Sequence, residues 1–555
     1  MSGPTVVSPS HQADLGRVID ALDAATRALT EATRVLTGIR AEMGSNGRVE
    51  APPAPEPAAV ISTWEDDPFS EGVPTPTPTA PAPIEQAVTT PSTNAALAWQ
   101  ITGVRPEVGR HEPGTAEFRY WTAQESIAGA VGHFVDLMPR GTRWSTVRSP
   151  LRVDLAAGDD LNATYTRRFG LRFFHHDVAG TRIATAESPD IVRHEIGHAL
   201  LDALRPELFE ATSAEADAFH EAFGDMTAML VALRLPSYRR RVLTETGGSL
   251  RSNSRLSRMG EQLGWGIRRS HPDTVDGDCL RNAANRFAYA PPEGLPADAP
   301  MGELSQQPHS FARVFTGAFL DALAAMVAVA GGPAEQTLDA VARDMAQLLV
   351  DGVLTAPITP TYYSQVAAAL VQAAAARGDG RYQPALRGAF VRRGILALAA
   401  ARDLDTAEVP TLQPVEAAAA AAPDEGAARV LGYGAAPSDG YRADGAAVPG
   451  LPTRSVDAEF LDRPVTCHVA AEPERFHVAP RTVGPAGPTT DAVESARQYL
   501  ATLIQLGRID PGPVASMARG PVTRSGRERY THRLEESDDG RLELRRVRFQ
   551  CVPWV

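Results

Sequence analysis

Two stretches of this 555-residue chain are too poor in apolar side chains to build a core, and they limit how the rest can fold. From about Gly44 to Asn94 the composition turns to Pro, Ala, Thr, Ser and acidic residues, as in Pro74-Thr75-Pro76-Thr77-Pro78. Burial in such a segment cannot offset the entropy of ordering it, so 44–94 reads as an extended linker. A second zone, 406–454, holds the alanine run Ala417 to Ala422 and reads the same way. These zones leave an N-terminal segment 1–43, a large domain 95–405 and a C-terminal module 455–555. The length alone suggests two to four folding units.

In the N-terminal segment Leu15, Val18, Leu22, Ala25, Leu29, Ala32, Leu36 and Ile39 follow alternating steps of three and four. This seam predicts an amphipathic helix, which either docks on a partner or oligomerises through residues 15–39, or lies on its own protein. The C-terminal module mixes a helical spacing over Asp491 to Gly507 with a period-two alternation over Arg541 to Phe549. It reads as a small α+β unit without the chemistry of an active site.

Net charge is −13 and the basic residues are spread along the chain, so no nucleic-acid partner is expected. Three cysteines, Cys279, Cys467 and Cys551, stand at long spacings and fit neither a disulfide framework nor a cysteine zinc cage. Met1 to Ser10 carries no basic segment followed by an apolar run. The apolar run from Phe315 to Ala330 is broken by Asp321. A cytoplasmic protein with no membrane partner is the expectation, with export by a signal-independent route left open.

The chemistry concentrates in one segment. Ser188-Pro189-Asp190 is a strong helix start, with a capping hydroxyl, proline at the first turn and an acid facing the helix dipole. The helix it opens carries His194-Glu195-Ile196-Gly197-His198 and ends before Pro206. Histidines four apart project from one face and can share a metal ion. Glu195 stands where it can take a proton from a water that the metal activates. A catalytic zinc site needs a third protein ligand. A second helical stretch, opened by Ser213, offers Glu221, with Glu215 and Asp217 as alternatives on the same helix. Asp225, one turn beyond Glu221, is placed to accept the free ring N–H of a ligating histidine. His175-His176 reads as a polar strand end, and His220 as a bystander.

The pairing of His194-Glu195-Ile196-Gly197-His198 with Glu221-Ala222-Phe223-Gly224-Asp225 resembles thermolysin and the wider gluzincin peptidases. The resemblance spans about residues 150–330. It implies an α+β, zincin-like metallopeptidase domain, helix-rich with a small mixed sheet. It implies Zn²⁺ held by His194, His198 and Glu221, Glu195 as general base and Asp225 as the partner of a ligand histidine. Asn162-Ala163-Thr164-Tyr165 resembles the family's edge strand, which pairs with an extended peptide substrate and gives Asn162 and Ala163 a substrate-binding role. His309 resembles the histidine that stabilises the oxyanion. Where the family has a tyrosine donor this chain has Phe209, which leaves Tyr289 as a substitute or the donor missing. Asp273, Asp276 and Asp278 form an acidic loop without an EF-hand pattern, and no clear equivalent of the family's calcium sites is visible.

The resulting expectation is a zinc-dependent endopeptidase acting on a protein or peptide substrate. Two alternatives stand beside it: a zinc-binding but inactive interaction protein, and a self-processing protease of very narrow specificity.

Overall fold

The structure is a computed structural model that describes residues 60–71, 80–404, 450–457, 464–473, 475, 491–510, 530–537 and 539–552. The heptad seam at 15–39 and nearly all of the zone at 406–454 lie outside the described residues. Ala59 to Val555 forms one compact unit, and its architecture is mixed α+β.

The helix bearing the His-Glu-x-x-His motif spans Pro189–Leu204 and is called the motif helix below. Its start follows the sequence signals. The Ser188 hydroxyl accepts from the Ile191 N–H and Pro189 fills the first turn. It packs between Ala116–Phe134 and Ala214–Ala232. The second of these carries Glu221 and Asp225 and is called the carboxylate helix, capped by the Ser213 hydroxyl. Pro308–Val329 backs the carboxylate helix, and Gln383–Arg392 packs on Pro308–Val329 in turn. Pro308–Val329 has the length and apolarity to cross a membrane, but 78% of its most apolar window is buried inside this fold, as expected for a core helix.

Beside the motif helix lies a five-stranded mixed sheet. Trp99–Ile101, Leu151–Asp154 and Gly170–Phe173 run parallel to one another in that order. Ala163–Thr166 joins antiparallel to Gly170–Phe173. The last strand, Phe549–Gln550, comes from the far end of the chain and pairs antiparallel with Ala163–Thr166.

Two boundaries differ from the sequence reading. Part of the expected linker 44–94 is folded: Val60–Thr63 pairs antiparallel with Ile84–Ala87, and Ile61, Trp64 and Phe69 are buried. Trp64 meets Phe118 edge-on at 5.3 Å and Phe69 meets Trp265 at 5.5 Å. Three large apolar side chains, diluted among Pro, Ala and Thr in any window average, are enough to seat the segment. The compact domain therefore begins near Val60 rather than residue 95.

The C-terminal residues do form an α+β layer. Its sheet runs in the order Thr453–Val456, Val465–His468, Leu542–Arg546, His532–Glu536 and Ile509–Asp510, with helix Ala492–Gln505 beside it. Tyr499, Leu503, Leu534 and Leu544 share its separate core. Asp217 ties this layer to the carboxylate helix by pairing with Arg546 at 2.9 Å and accepting from the Tyr499 hydroxyl. The alternation over Arg541 to Phe549 does not continue as one strand. It breaks after Arg546, and Phe549–Gln550 crosses to the sheet beside the motif helix.

Candidate metal centre

The motif helix and the carboxylate helix approach so closely that neither could carry a larger residue at the crossing. A Cβ on Gly197 would lie 2.9 Å from the Gly224 Cα, and one on Gly224 would lie 2.5 Å from His194 Nδ1. The two glycines inside the two motifs thus let the helices meet, and the meeting brings Glu221 to the histidines.

His194, Glu195 and His198 each bring a ligand-type atom within 4.8 Å of the others. Glu221 Oε2 lies 3.3 Å from His194 Nε2, and Glu221 Oε1 lies 3.8 Å from His198 Nε2. Donors around a tetrahedral ion with bonds of ~2.0–2.1 Å stand about 3.3–3.4 Å apart, close to both separations. His194 Nε2, His198 Nε2, Glu221 Oε2 and both Glu195 oxygens are buried, and none is aligned for a hydrogen bond. Buried polar atoms left unpaired are costly, and five from four neighbouring side chains fit a cation between them. The residues present therefore suit a zinc ion, with Glu195 left free to act as a base.

The far nitrogens of both histidines are held. His194 Nδ1 lies 2.9 Å from Asp225 Oδ1, and His198 Nδ1 lies 3.0 Å from His220 Nδ1. Each bond fixes a ring and directs its Nε2 to the centre. His220, a bystander in the sequence reading, is therefore the orienting partner of His198. Nothing in the motif marks it, because its place depends on how the two helices cross. Arg281, 56 positions beyond Asp225, clamps that carboxylate through two nitrogens at 2.7 and 3.2 Å. No local pattern identifies it either.

The electrostatics are those of a dry charge cluster. Burial opposes charge on His194, but the Asp225 and Glu221 carboxylates outweigh it and hold the imidazole up at about 9. Burial raises Glu195 to about 8, with His194 opposing and Glu221 adding. Burial would also raise Asp225, but the Arg281 guanidinium and the bond from His194 hold it down at about 2. His198 and His220 are pushed well below the usual range, chiefly by burial, so both are neutral and one donates to the other.

His309 reaches the same place from the start of Pro308–Val329. Its Nε2 lies 3.1 Å from Glu221 Oε2 and 2.7 Å from the Gln550 carbonyl oxygen. Its Nδ1 faces the Gln307 amide nitrogen at 3.0 Å, which can only donate, so Nε2 carries the proton. The alternative third ligands are engaged elsewhere. Glu215 accepts from the Tyr289 hydroxyl at 2.6 Å and the Tyr363 N–H at 2.7 Å, and Asp217 holds the C-terminal layer. Tyr289 is thereby committed to Glu215 and does not replace the missing tyrosine. Phe209 packs edge-on against Phe549 at 5.5 Å under the Arg167 guanidinium.

Ala163 lies on the strand that faces the centre, and its carbonyl accepts from the Cys551 N–H at 2.9 Å. The Asn162 side chain instead folds back to cap the Ala163 N–H at 2.9 Å. All three cysteines are free and buried.

The motif helix carries a second cluster at its N-terminal end. Asp67, Asp190 and Glu261, all buried, bring carboxylate oxygens within 4.8 Å of one another. Oxygen donors alone suit a hard cation rather than zinc. No protein-family model matches the chain, and no curated protein matches it either.

Proposed function

We propose that the chain is a zinc-dependent endopeptidase of the gluzincin type, built on a zincin-like domain and acting on protein or peptide substrates. The observation that carries the reading is the convergence of His194, His198 and Glu221 with unpaired ligand atoms, next to a Glu195 that has no partner at all. Structural zinc sites leave no free carboxylate of this kind, whereas a hydrolytic one needs it.

Zinc held by His194, His198 and Glu221 would supply a water of lowered pKa and a Lewis acid for the substrate carbonyl. Glu195 takes a proton from that water and returns it to the departing amine. His309, with its proton on Nε2, donates to the carbonyl oxygen as negative charge builds there. Asp225 and His220 hold the two ligand rings, and the strand at Ala163 offers backbone to an extended peptide.

The test is zinc content by elemental analysis, paired with peptide-library cleavage, for wild type and Glu195→Gln. About one zinc in both proteins, with cleavage by wild type alone, is the expected result. Equal zinc with no cleavage by either would favour the inactive, zinc-holding interaction protein.

A further inference from the structure

The peptide at the metal centre is already in place, and it belongs to the same chain. Phe549 and Gln550 pair antiparallel with Tyr165 and Thr164, and the Cys551 N–H extends the ladder to the Ala163 carbonyl at 2.9 Å. The Gln550 carbonyl accepts from His309 Nε2 at 2.7 Å, and the Cys551 carbonyl accepts from Arg281 at 2.8 Å. The bond between Gln550 and Cys551 is thus held on three sides: its own carbonyl, its own N–H and the carbonyl that follows. Phe549 is stacked on His220 at 3.9 Å and on His198 at 4.8 Å, which fixes the residue two before the bond against a ligand ring and the ring that orients it.

A structural strand would need only ladder bonds to its neighbour. Here the contacts run to His309 and to Arg281, the partner of Asp225, which are groups of the centre itself. The segment also closes the site. His194, Glu195 and His198 are 0% exposed and Glu221 is 2% exposed, while Phe549, Gln550, Cys551 and Val552 are all buried. No external peptide reaches Glu195 until residues 549–552 move.

We propose that the centre's first substrate is its own C-terminal segment, cut between Gln550 and Cys551, and that this cut opens the cleft to other peptides; the proposal rests on the endopeptidase reading above. Water oxygen adds to the Gln550 carbonyl carbon, Glu195 receives one water proton and passes it to the Cys551 nitrogen, the C–N bond breaks, and the second water proton leaves the new carboxyl group for the freed amine. The products are a Gln550 carboxylate and a new amino terminus at Cys551. Two of the three anchors, the Cys551 N–H and carbonyl, leave with residues 551–555 of this sequence. Only short contacts at Phe549 and Gln550 then hold the remaining end in the cleft.

The test compares the full chain of wild type and Glu195→Gln, both expressed with zinc, by intact mass spectrometry, with hydrogen exchange on the zinc-free Glu195→Gln protein. Wild type is expected to end at Gln550 and Glu195→Gln to keep residues 551–555, the cut being slowed by on the order of a hundredfold or more. Cut formation is expected to be independent of protein concentration, as for an intramolecular step. In the zinc-free variant the Cys551 amide is expected to exchange slowly, because it is buried and bonded to Ala163. Cys551→Pro removes that N–H and is expected to keep its C-terminus; if it does not fold, the Glu195→Gln comparison decides alone. Wild type that cleaves a peptide library but retains residues 551–555 would overturn the proposal and leave the endopeptidase reading standing. A cut at any other bond, or fast exchange at Cys551, would also overturn it. One bound zinc with no cleavage of either kind would remove both.

Discussion

The motif helix holds two buried clusters about one turn apart, one at its N-terminal end and one at its middle, and they were assembled in opposite ways. His194, Glu195 and His198 come from five consecutive residues, and Glu221 and Asp225 from five more on a neighbouring helix. Asp67, Asp190 and Glu261 come from three separate segments, one of them inside a stretch whose composition suggests a linker. Their surroundings differ as well. The first cluster opposes its carboxylates with imidazoles and Arg281, and its unpaired atoms are ligand atoms. The second gathers acids whose ionisation burial opposes: Asp67 is raised to about 6, and Asp190 and Glu261 well above their ordinary values. Mixed nitrogen and oxygen donors beside an unpaired carboxylate suit a metal ion, whereas acids crowded in a buried site make a pH-sensitive joint.

That contrast can be broken first by removing one group from each cluster. His198→Ala takes away a proposed zinc ligand, and zinc affinity should fall by roughly 3–5 kcal/mol of the ~10–16 kcal/mol that closed zinc sites reach. Asp190→Asn, one turn before His194, should leave zinc affinity unchanged. Calorimetric titration of both variants decides whether the two clusters are independent.

The joint should reveal itself in the pH dependence of stability. Burial raises Asp67 from 3.8 to about 6, so the folded state holds its proton more tightly than the unfolded chain does. Its contribution is complete below about pH 4 and is lost as pH rises through 6; two pH units correspond to roughly 3 kcal/mol. Asp67→Asn should remove that slope. Urea midpoints between about pH 3.5 and 6.5 for wild type and variant isolate it from the histidines, which are common to both.

Packing at the histidine cluster is the next lever. Gly224→Ala puts a Cβ 2.5 Å from His194 Nδ1 and should destabilise the fold by about 1–3 kcal/mol while displacing the ring. Gly132→Ala, in helix Ala116–Phe134 with nothing within 4 Å of its Cβ, should instead stabilise by about 0.5–1 kcal/mol. Equal effects in thermal unfolding would show that the close helix crossing does not constrain position 224.

A further prediction concerns orientation. Asp225→Asn leaves all three ligands in place but weakens the bond that holds His194. Zinc affinity should drop about 10–100-fold, without the larger loss expected for His198→Ala. A drop as large as that of His198→Ala would mean that Asp225 does more than orient the ring.

Local rules read correctly wherever the cause was local. The Ser188 cap, the helical step from His194 to His198 and the step from Glu221 to Asp225 are all set within a few residues of backbone. The strand at Ala163 came from the family resemblance as an edge strand, and it is instead paired on both sides, by Gly170–Phe173 and Phe549–Gln550. What escaped was set by tertiary packing. His220 orients His198 only because two glycines let two helices touch, and Arg281 finds Asp225 across the fold. Phe549 to Cys551 reach the centre from a module that, read by itself, has no catalytic pattern. Trp64 and Phe69 were hidden by averaging over their proline-rich surroundings.

The most direct measurement is zinc-anomalous diffraction from crystals of Glu195→Gln grown with zinc. One strong peak is expected among His194 Nε2, His198 Nε2 and the Glu221 carboxylate, with the Asp67, Asp190 and Glu261 cluster free of zinc. A zinc peak at the carboxylate cluster instead, or none between the two histidines, would contradict it.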